Sequence, residues 1–498
     1  NKLAASLARE LIDIGVRCVV AAGWAVNDAN ASLFGRTFYE ALLLQRLPFG
    51  EAVFRARRAV WEQDPSDITW GAFQAYGDAG WRAEARIDGA AGADGAPYVS
   101  PDELLDDLAR LRADLARRAQ RLGERERRTL VRALEDKLNK RCPAGWLELG
   151  PVHSALGATW ADLGLFARAR RAYLEAVRAG DKAGGVPMRD VEQLINVEAR
   201  LGEQRAEVEA TAEMGREVER GVGGEGGATG SRTAESPLEL IDLALTRLDR
   251  LEGMVGAGCA AQAAPLNVER SALRGSAFKR KAGVHARQAL RAAEPSALVR
   301  GAVQAMREAL AASARAYAAA AGTPGAARFD PYLALNRLAL EASNADAVET
   351  TAASDSAALE LARQCRQRAQ DDFARQPDAW NATMPADALL VAHLLDGRLG
   401  RDDEAGHAAF DAVQRAYDEA LRCYPLTPVQ IDSMVTQLEL LSRFFDARHL
   451  DGGLAAHRLV ADRLLELVQR IDPGRAPRGD RPAQGTAVGG TPPATAAG

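Results

Sequence analysis

Near the start of the chain, the segment "CVVAAGWAVNDANASLFGRTFYEAL" brings a thiol, an indole and a carboxylate close together in sequence: Cys18, Trp24 and Asp28. A cysteine acts as a nucleophile only where a base or donor lowers its pKa. Cys18 instead lies between Arg17 and Val19 in an apolar run, which reads as core packing. A carboxylate beside an indole has a different use. It can form a bidentate pair with a guanidinium while the ring covers the apolar stem. Asp28 and Trp24 are the candidates for such a substrate-specificity pocket. Asp28 also has a structural reading, because Asn27 or Asp28 before Ala-Asn-Ala is the signature of a helix N-cap. Trp24 can equally be a packing residue beside a pocket. These readings do not exclude one another.

Few other residues could do chemistry. His153 occupies a helix-packing position, and His285, His393, His407, His449 and His457 are scattered without a Cys or carboxylate at useful spacing. Cys18, Cys142, Cys259, Cys365 and Cys423 are far apart and form no metal-ligand pattern. We expect no metal, no cofactor, and reduced thiols in a cytoplasmic setting. A net charge of -5 gives no general reason to bind nucleic acid. No apolar run is long enough for a membrane span.

The elements that must position these residues follow from periodicity. A composition 47% hydrophobic and only 5% aromatic, rich in Ala, Leu and Arg, predicts a mostly α protein. "LAASLARELIDIG" has helical spacing, and "VRCVVAAG" reads as a strand buried on both faces of a parallel sheet. A helix follows from Asn27 and Asp28, and another is expected over Phe49 to Trp61, ended by Pro65. "ITWGAFQAYGD" supplies a further strand. Trp24 and Asp28 then fall at the C-terminal end of the first strand, where α/β sheets place their sites.

Beyond this unit (1–87) we expect a linker (88–100) and a charged helical connector (101–144) whose leucines paint a narrow stripe. "HSALGATWADLGLFARARRAYLEAVRAGD" then fits the tetratricopeptide template at Leu156, Gly157, Trp160, Gly164, Ala169, Tyr173 and Ala176, where small residues admit a neighbouring helix and large ones fill the space between. Weaker copies follow: "ALRGSAFKRKA" pairs with "ALAASARAYAAAAGTP", "DPYLALNRLALEA" supplies a first helix, and "ALLVAHLLDGRLG" pairs with "AVQRAYDEALRCYP". Tetratricopeptide-like helices are thus expected over 145–220 and 238–472, an irregular α-solenoid. A Gly-rich loop (221–237) interrupts it and a disordered tail (473–498) ends it.

"GWAVND", the "FY" and Leu after it, "GEAVFRAR" and "TWGAFQAYGD", in this order, resemble the C-terminal half of the CHAT domain. That domain is a caspase-like cysteine peptidase domain related to separase and often fused to tetratricopeptide repeats. The resemblance implies a catalytic His and Cys on strands that precede this segment, hence upstream of Asn1, so no residue here receives a catalytic role. A chain opening on Asn1 rather than Met is then expected to be a piece of a longer, bacterial-type protein. In the family the Asp matching Asp28 is associated with selecting a basic residue before the cleaved bond. Two departures are local: Asn27 stands where Thr or Asp is frequent, and Gln45-Arg46 where a helix-ending Gly is usual.

The expected function is therefore the back half of an Arg- or Lys-directed cysteine endopeptidase, with a helical module that senses or captures a protein or peptide in its groove. The alternative is a non-enzymatic scaffold with a degenerate caspase-like part. No single pocket chemistry dominates the groove-facing positions.

Overall fold

The computed structural model describes residues 12, 16–24, 26–83, 97–117, 123–182, 185, 187–220, 235–255, 263–292, 296–322, 329–345 and 356–475. The chain forms two compact units, Asn1–Ala96 and Pro97–Gly498. The helix expected at "LAASLARELIDIG", most of the Gly-rich loop, Cys259 and nearly all of the expected tail lie outside the described residues.

Unit 1 contains β1 (Cys18–Ala22), α1 (Asp28–Tyr39) running into a π-helical turn (Glu40–Leu44), α2 (Phe49–Gln63), the short α3 (Thr69–Ala72) and β2 (Phe73–Gly77). The sheet is antiparallel, not parallel as expected, with Cys18 opposite Gly77 and Ala22 opposite Phe73. The connection explains the direction. Two full-length helices, α1 and α2, pack as a pair between the strands, and each reverses the chain, so β2 returns against β1. Nor is β1 buried on both faces: it is half-buried, and Cys18 and Val20 pack on a core of Phe34, Phe38, Phe49, Val53 and Val60. The Phe34 ring stacks on Phe73 at 3.9 Å, fastening α1 to β2. The missing helix-ending Gly is replaced by Arg46, which adopts φ 55. That is the left-handed conformation the turn demands.

Unit 2 is helical among its described residues: α4 (Pro101–Arg117), α5 (Glu124–Arg141), α6 (Gly150–Asp162), α7 (Phe166–Lys182), α8 (Met188–Arg220), α9 (Pro237–Val255), α10 (Ala263–Arg291), α11 (Ala297–Ala321), α12 (Pro331–Asn344), α13 (Ser356–Arg375), α14 (Ala379–Leu395), α15 (Glu404–Cys423), α16 (Pro428–Leu450) and α17 (Ala455–Ile471), with short 3-10 turns at Ala144–Glu148 and Arg398–Gly400. Side-chain caps start several of these helices: Asp330 on α12, Asp378 on α14, Asp403 on α15, and a Thr427–Gln430 capping box on α16.

Consecutive helices pack in pairs, among them α6 with α7, α8 with α9, α10 with α11, α13 with α14 and α16 with α17. The charged segment expected as a connector shares a core with the first pair, since Leu104, Leu108 and Leu134 cluster with Val152, Trp160 and Tyr173. Buried charges set register between layers. Glu198 of α8, fully buried, accepts from Arg170 of α7 at 3.0 Å and from Arg247 of α9 at 2.9 Å. At the C-terminal end Arg475, itself buried, folds back onto α16. It pairs with both carboxylate oxygens of Glu439 and reaches Asp432 at 2.6 Å and Thr436 at 3.1 Å.

Candidate functional site

In unit 1 the strand end is held by a polar network. The Asn27 side chain accepts from the N–H groups of Ala29 and Asn30, so Asn27 is the N-cap and Asp28 is the first helical residue. The Asn27 N–H donates to Thr69 Oγ1 at 3.2 Å. Asp67 then ties the corner together: its Oδ1 accepts from the Thr69 N–H (2.8 Å) and hydroxyl (2.7 Å), and its Oδ2 from Asn30 Nδ2 (2.5 Å). These hydrogen bonds, Thr69's first, hold the Asp67 carboxyl below the usual range. Trp24 is partly exposed, its ring edge beside Gly71, where a Cβ would stand 3.7 Å from Cζ2. Trp24 and the start of α1 thus share one corner of the unit; the Asp28 side chain lies outside the described set.

Cys18 offers no nucleophile. Burial pushes its thiol up, its Sγ donates to the Asp78 carbonyl at 3.7 Å, and the first histidine of the chain is His153.

The positions fitted to the repeat template come together between α6 and α7. Leu156, Trp160, Ala169, Tyr173 and Ala176 are all buried. Tyr173 covers Gly157, and the Arg168 guanidinium lies over the Trp160 ring at 5.1 Å. Gly164 has a different role from close packing. It sits in the turn between the helices at φ 73, a conformation that favours glycine.

Unit 2 also holds a cavity of about 770 Å³ that no local sequence pattern announced. Its walls come from α8, α10, α11, α12, α14 and α16. Lys279 projects from α10, with Nζ 2.9 Å from Asn336 Oδ1 and 3.0 Å from Gln437 Oε1, and 5.7 Å from the centre of the Tyr317 ring. Burial, reinforced by the adjacent Arg280, pushes its ammonium down to about 8. Arg280 forms an ion pair with Glu203 of α8. Burial alone would raise Glu203, but the fields of Arg280, Arg287 and Arg443 hold it below its ordinary value. Across the cavity Asp387 of α14 accepts from the Tyr417 hydroxyl at 2.5 Å, and burial pushes its carboxyl up to about 6. Tyr332 and Trp380, each about half exposed, mark where this lining meets solvent.

The lining is mixed in charge, with Arg200, Lys279 and Arg280 beside Glu203, Glu207, Asp387 and Asp432. Lys279, Asn336 and Gln437 lie 57 and 158 residues apart in sequence, and only folding brings them together. Among the described residues no group of three or more His, Cys, Asp or Glu side chains could hold a metal, and no helix is long and apolar enough to cross a membrane.

Residues 1–78 match the family model of the CHAT domain. No curated protein and no solved structure was found to match the chain. The N-terminal unit thus carries a domain of the caspase-like peptidase family.

Proposed function

We propose that this chain supplies the substrate-reading end of a CHAT-type cysteine endopeptidase, together with a tetratricopeptide-like helical module that captures a protein or peptide segment. The observation that carries the reading is the cavity of unit 2, whose size, mixed charge and half-exposed aromatic rings suit an extended peptide. The CHAT match over 1–78 supports the peptidase part. In unit 1 the N-cap role belongs to Asn27 rather than Asp28, and the resemblance to the CHAT domain implies that the Asp matching Asp28 selects an Arg or Lys before the scissile bond. The resemblance to the CHAT domain implies a nucleophile and base on strands that precede this segment; within unit 1, burial raises the Cys18 thiol and no histidine precedes His153.

One observation favours a second reading. A caspase-like part without a usable Cys and His fits a non-enzymatic scaffold that only holds its partner. Cleavage assays on the natural full-length protein separate the two, using peptides that differ only in the residue before the scissile bond. Cleavage after Arg or Lys, lost in Asp28→Asn, is expected; a protein that binds these peptides and cleaves none is the scaffold.

A further inference from the structure

Lys279 is one of the enclosed cations of unit 2 without a carboxylate partner; Arg463 is another, but its guanidinium is spent on three backbone carbonyls, whereas Lys279 lines the cavity. A cation taken out of water ordinarily has a carboxylate in reach, because an unpaired buried charge is far costlier than a paired one. Arg170, Arg247, Arg270 and Arg475 all follow this rule. Lys279 does not. Its ammonium is held by two neutral amide oxygens, with no described carboxylate within 4.0 Å. Two acceptors leave one of its three N–H donors unused. A methionine of similar volume would fill the position without bringing a charge into the cavity.

The neighbouring wall repeats the imbalance. Arg200 of α8 lines the same cavity, with its guanidinium over Phe166 at 5.7 Å and no described carboxylate within 4.0 Å. Arg280 has Glu203, but that one carboxylate also answers the fields of Arg287 and Arg443. The α8 and α10 wall thus presents Arg200, Lys279 and Arg280 beside Glu203 and Glu207, and neither Arg200 nor Lys279 has a described carboxylate within 4.0 Å.

We propose that this wall receives the carboxylate side chain of a bound extended peptide, with Lys279 and Arg200 as its direct partners. The proposal rests on the peptide-capture reading and gives it a chemistry. The opposite wall decides between a peptide and a dense polyanion. Asp387 and Asp432 would repel a nucleic acid or any chain of closely spaced phosphates, whereas a single carboxylate can meet the cations without approaching Asp387. Tyr332 and Trp380 offer exposed rings to the flanking side chains of a peptide.

The test uses the whole chain and two pools of peptides about ten residues long, blocked at both ends so that no terminal charge contributes. The pools are randomised except at one central position, Glu in one and Gln in the other. Binding is followed by fluorescence anisotropy of a label on the peptides. The Glu pool is expected to bind about tenfold or more tighter. Lys279→Met should abolish that preference, and Lys279→Arg should retain it, with both variants keeping wild-type circular dichroism. Equal binding of the two pools would overturn the carboxylate assignment while leaving peptide capture in place. Binding of neither pool would overturn both. Inorganic phosphate competing at concentrations as low as the Glu pool itself would mark a free-anion site and reject the peptide as occupant.

Discussion

Tyr173 lies flat against the Cα of Gly157, so close that a Cβ at residue 157 would stand 2.9 Å from two ring carbons. The relationship recurs where α10 meets α11, with Gly275 under Tyr317 and a Cβ there 3.0 Å from three ring carbons. The glycine on one helix admits the tyrosine of the next, and the pair sets the distance between them. Gly157→Leu should therefore lose about 1–3 kcal/mol by overpacking. Combining it with Tyr173→Ala should recover part of that loss, because the new side chain can enter the space the ring vacates. Urea unfolding of the two single variants and the double variant measures this coupling. Strict additivity would mean that the two residues do not share one space.

Asn27 and Asp28 separate cleanly as substitutions. Removing the cap in Asn27→Ala should cost about 1 kcal/mol. Asp28→Asn should leave stability within about 0.5 kcal/mol, since it touches only the first-turn charge. In the natural protein, Asp28→Asn should nevertheless lower the kcat/KM for cleavage after Arg by roughly two decades or more, if the carboxylate pairs with the guanidinium in a confined site. Thermal unfolding and cleavage rates on the same preparations test both halves. An undiminished rate after Arg would remove Asp28 from substrate recognition.

Arg46 offers a gain. A left-handed residue with a Cβ is disfavoured by about 1–2 kcal/mol, part of which Gly would return as unfolded-state freedom. Arg46→Gly should thus stabilise unit 1 by about 0.5–1 kcal/mol, while Arg46→Val, β-branched, should destabilise it. The Arg82 hydrogen bond to the Arg46 carbonyl, 2.7 Å, involves only the backbone of residue 46 and survives both changes. Melting temperatures that fail to rank Gly above Arg above Val would refute the turn geometry.

Asp387 gives unit 2 a pH dependence of known sign. Its carboxyl is raised in the folded state from 3.8 to about 6, so between those values the folded chain holds a proton that the unfolded chain has lost. Stability from this group is therefore greatest below about 4 and falls as pH rises through 6, by on the order of 1–3 kcal/mol. Asp387→Asn removes the slope and still accepts from the Tyr417 hydroxyl. Urea midpoints should show the variant level with wild type near pH 4 and more stable at pH 7. A difference that does not change with pH would contradict the raised carboxyl.

What the sequence made legible was local. Gly157, Trp160 and Tyr173 fall within one helical pair, and their sizes and spacing announce which faces meet. The pairing of "ALRGSAFKRKA" with the Tyr317 helix rested on the same small and large residues, and α10 does pack on α11. The direction of β2 was not legible, because a short β-branched run looks alike in either orientation, and the outcome depended on two helices reversing the chain between the strands. Asn27 and Asp28 both qualify as the cap by residue type; only the backbone of α1 shows that Asn27 fills the position. Lys279 was invisible for another reason. A lysine in a helix reads as solvated, and nothing near it in sequence says that Asn336 and Gln437 will close over it.

The fold-back of Arg475 has a consequence for how the helical stack comes apart. Helices at the margin of a packed stack loosen first because they have the fewest neighbours, and α17 packs chiefly on α16. Arg475 follows α17 yet bonds to Glu439 and Asp432 on α16, so α17 is clasped between its own packing and this tether. Loosening of α17 from α16 must release a buried guanidinium and two carboxylates. Amide exchange in α17 should accordingly be among the slower in unit 2.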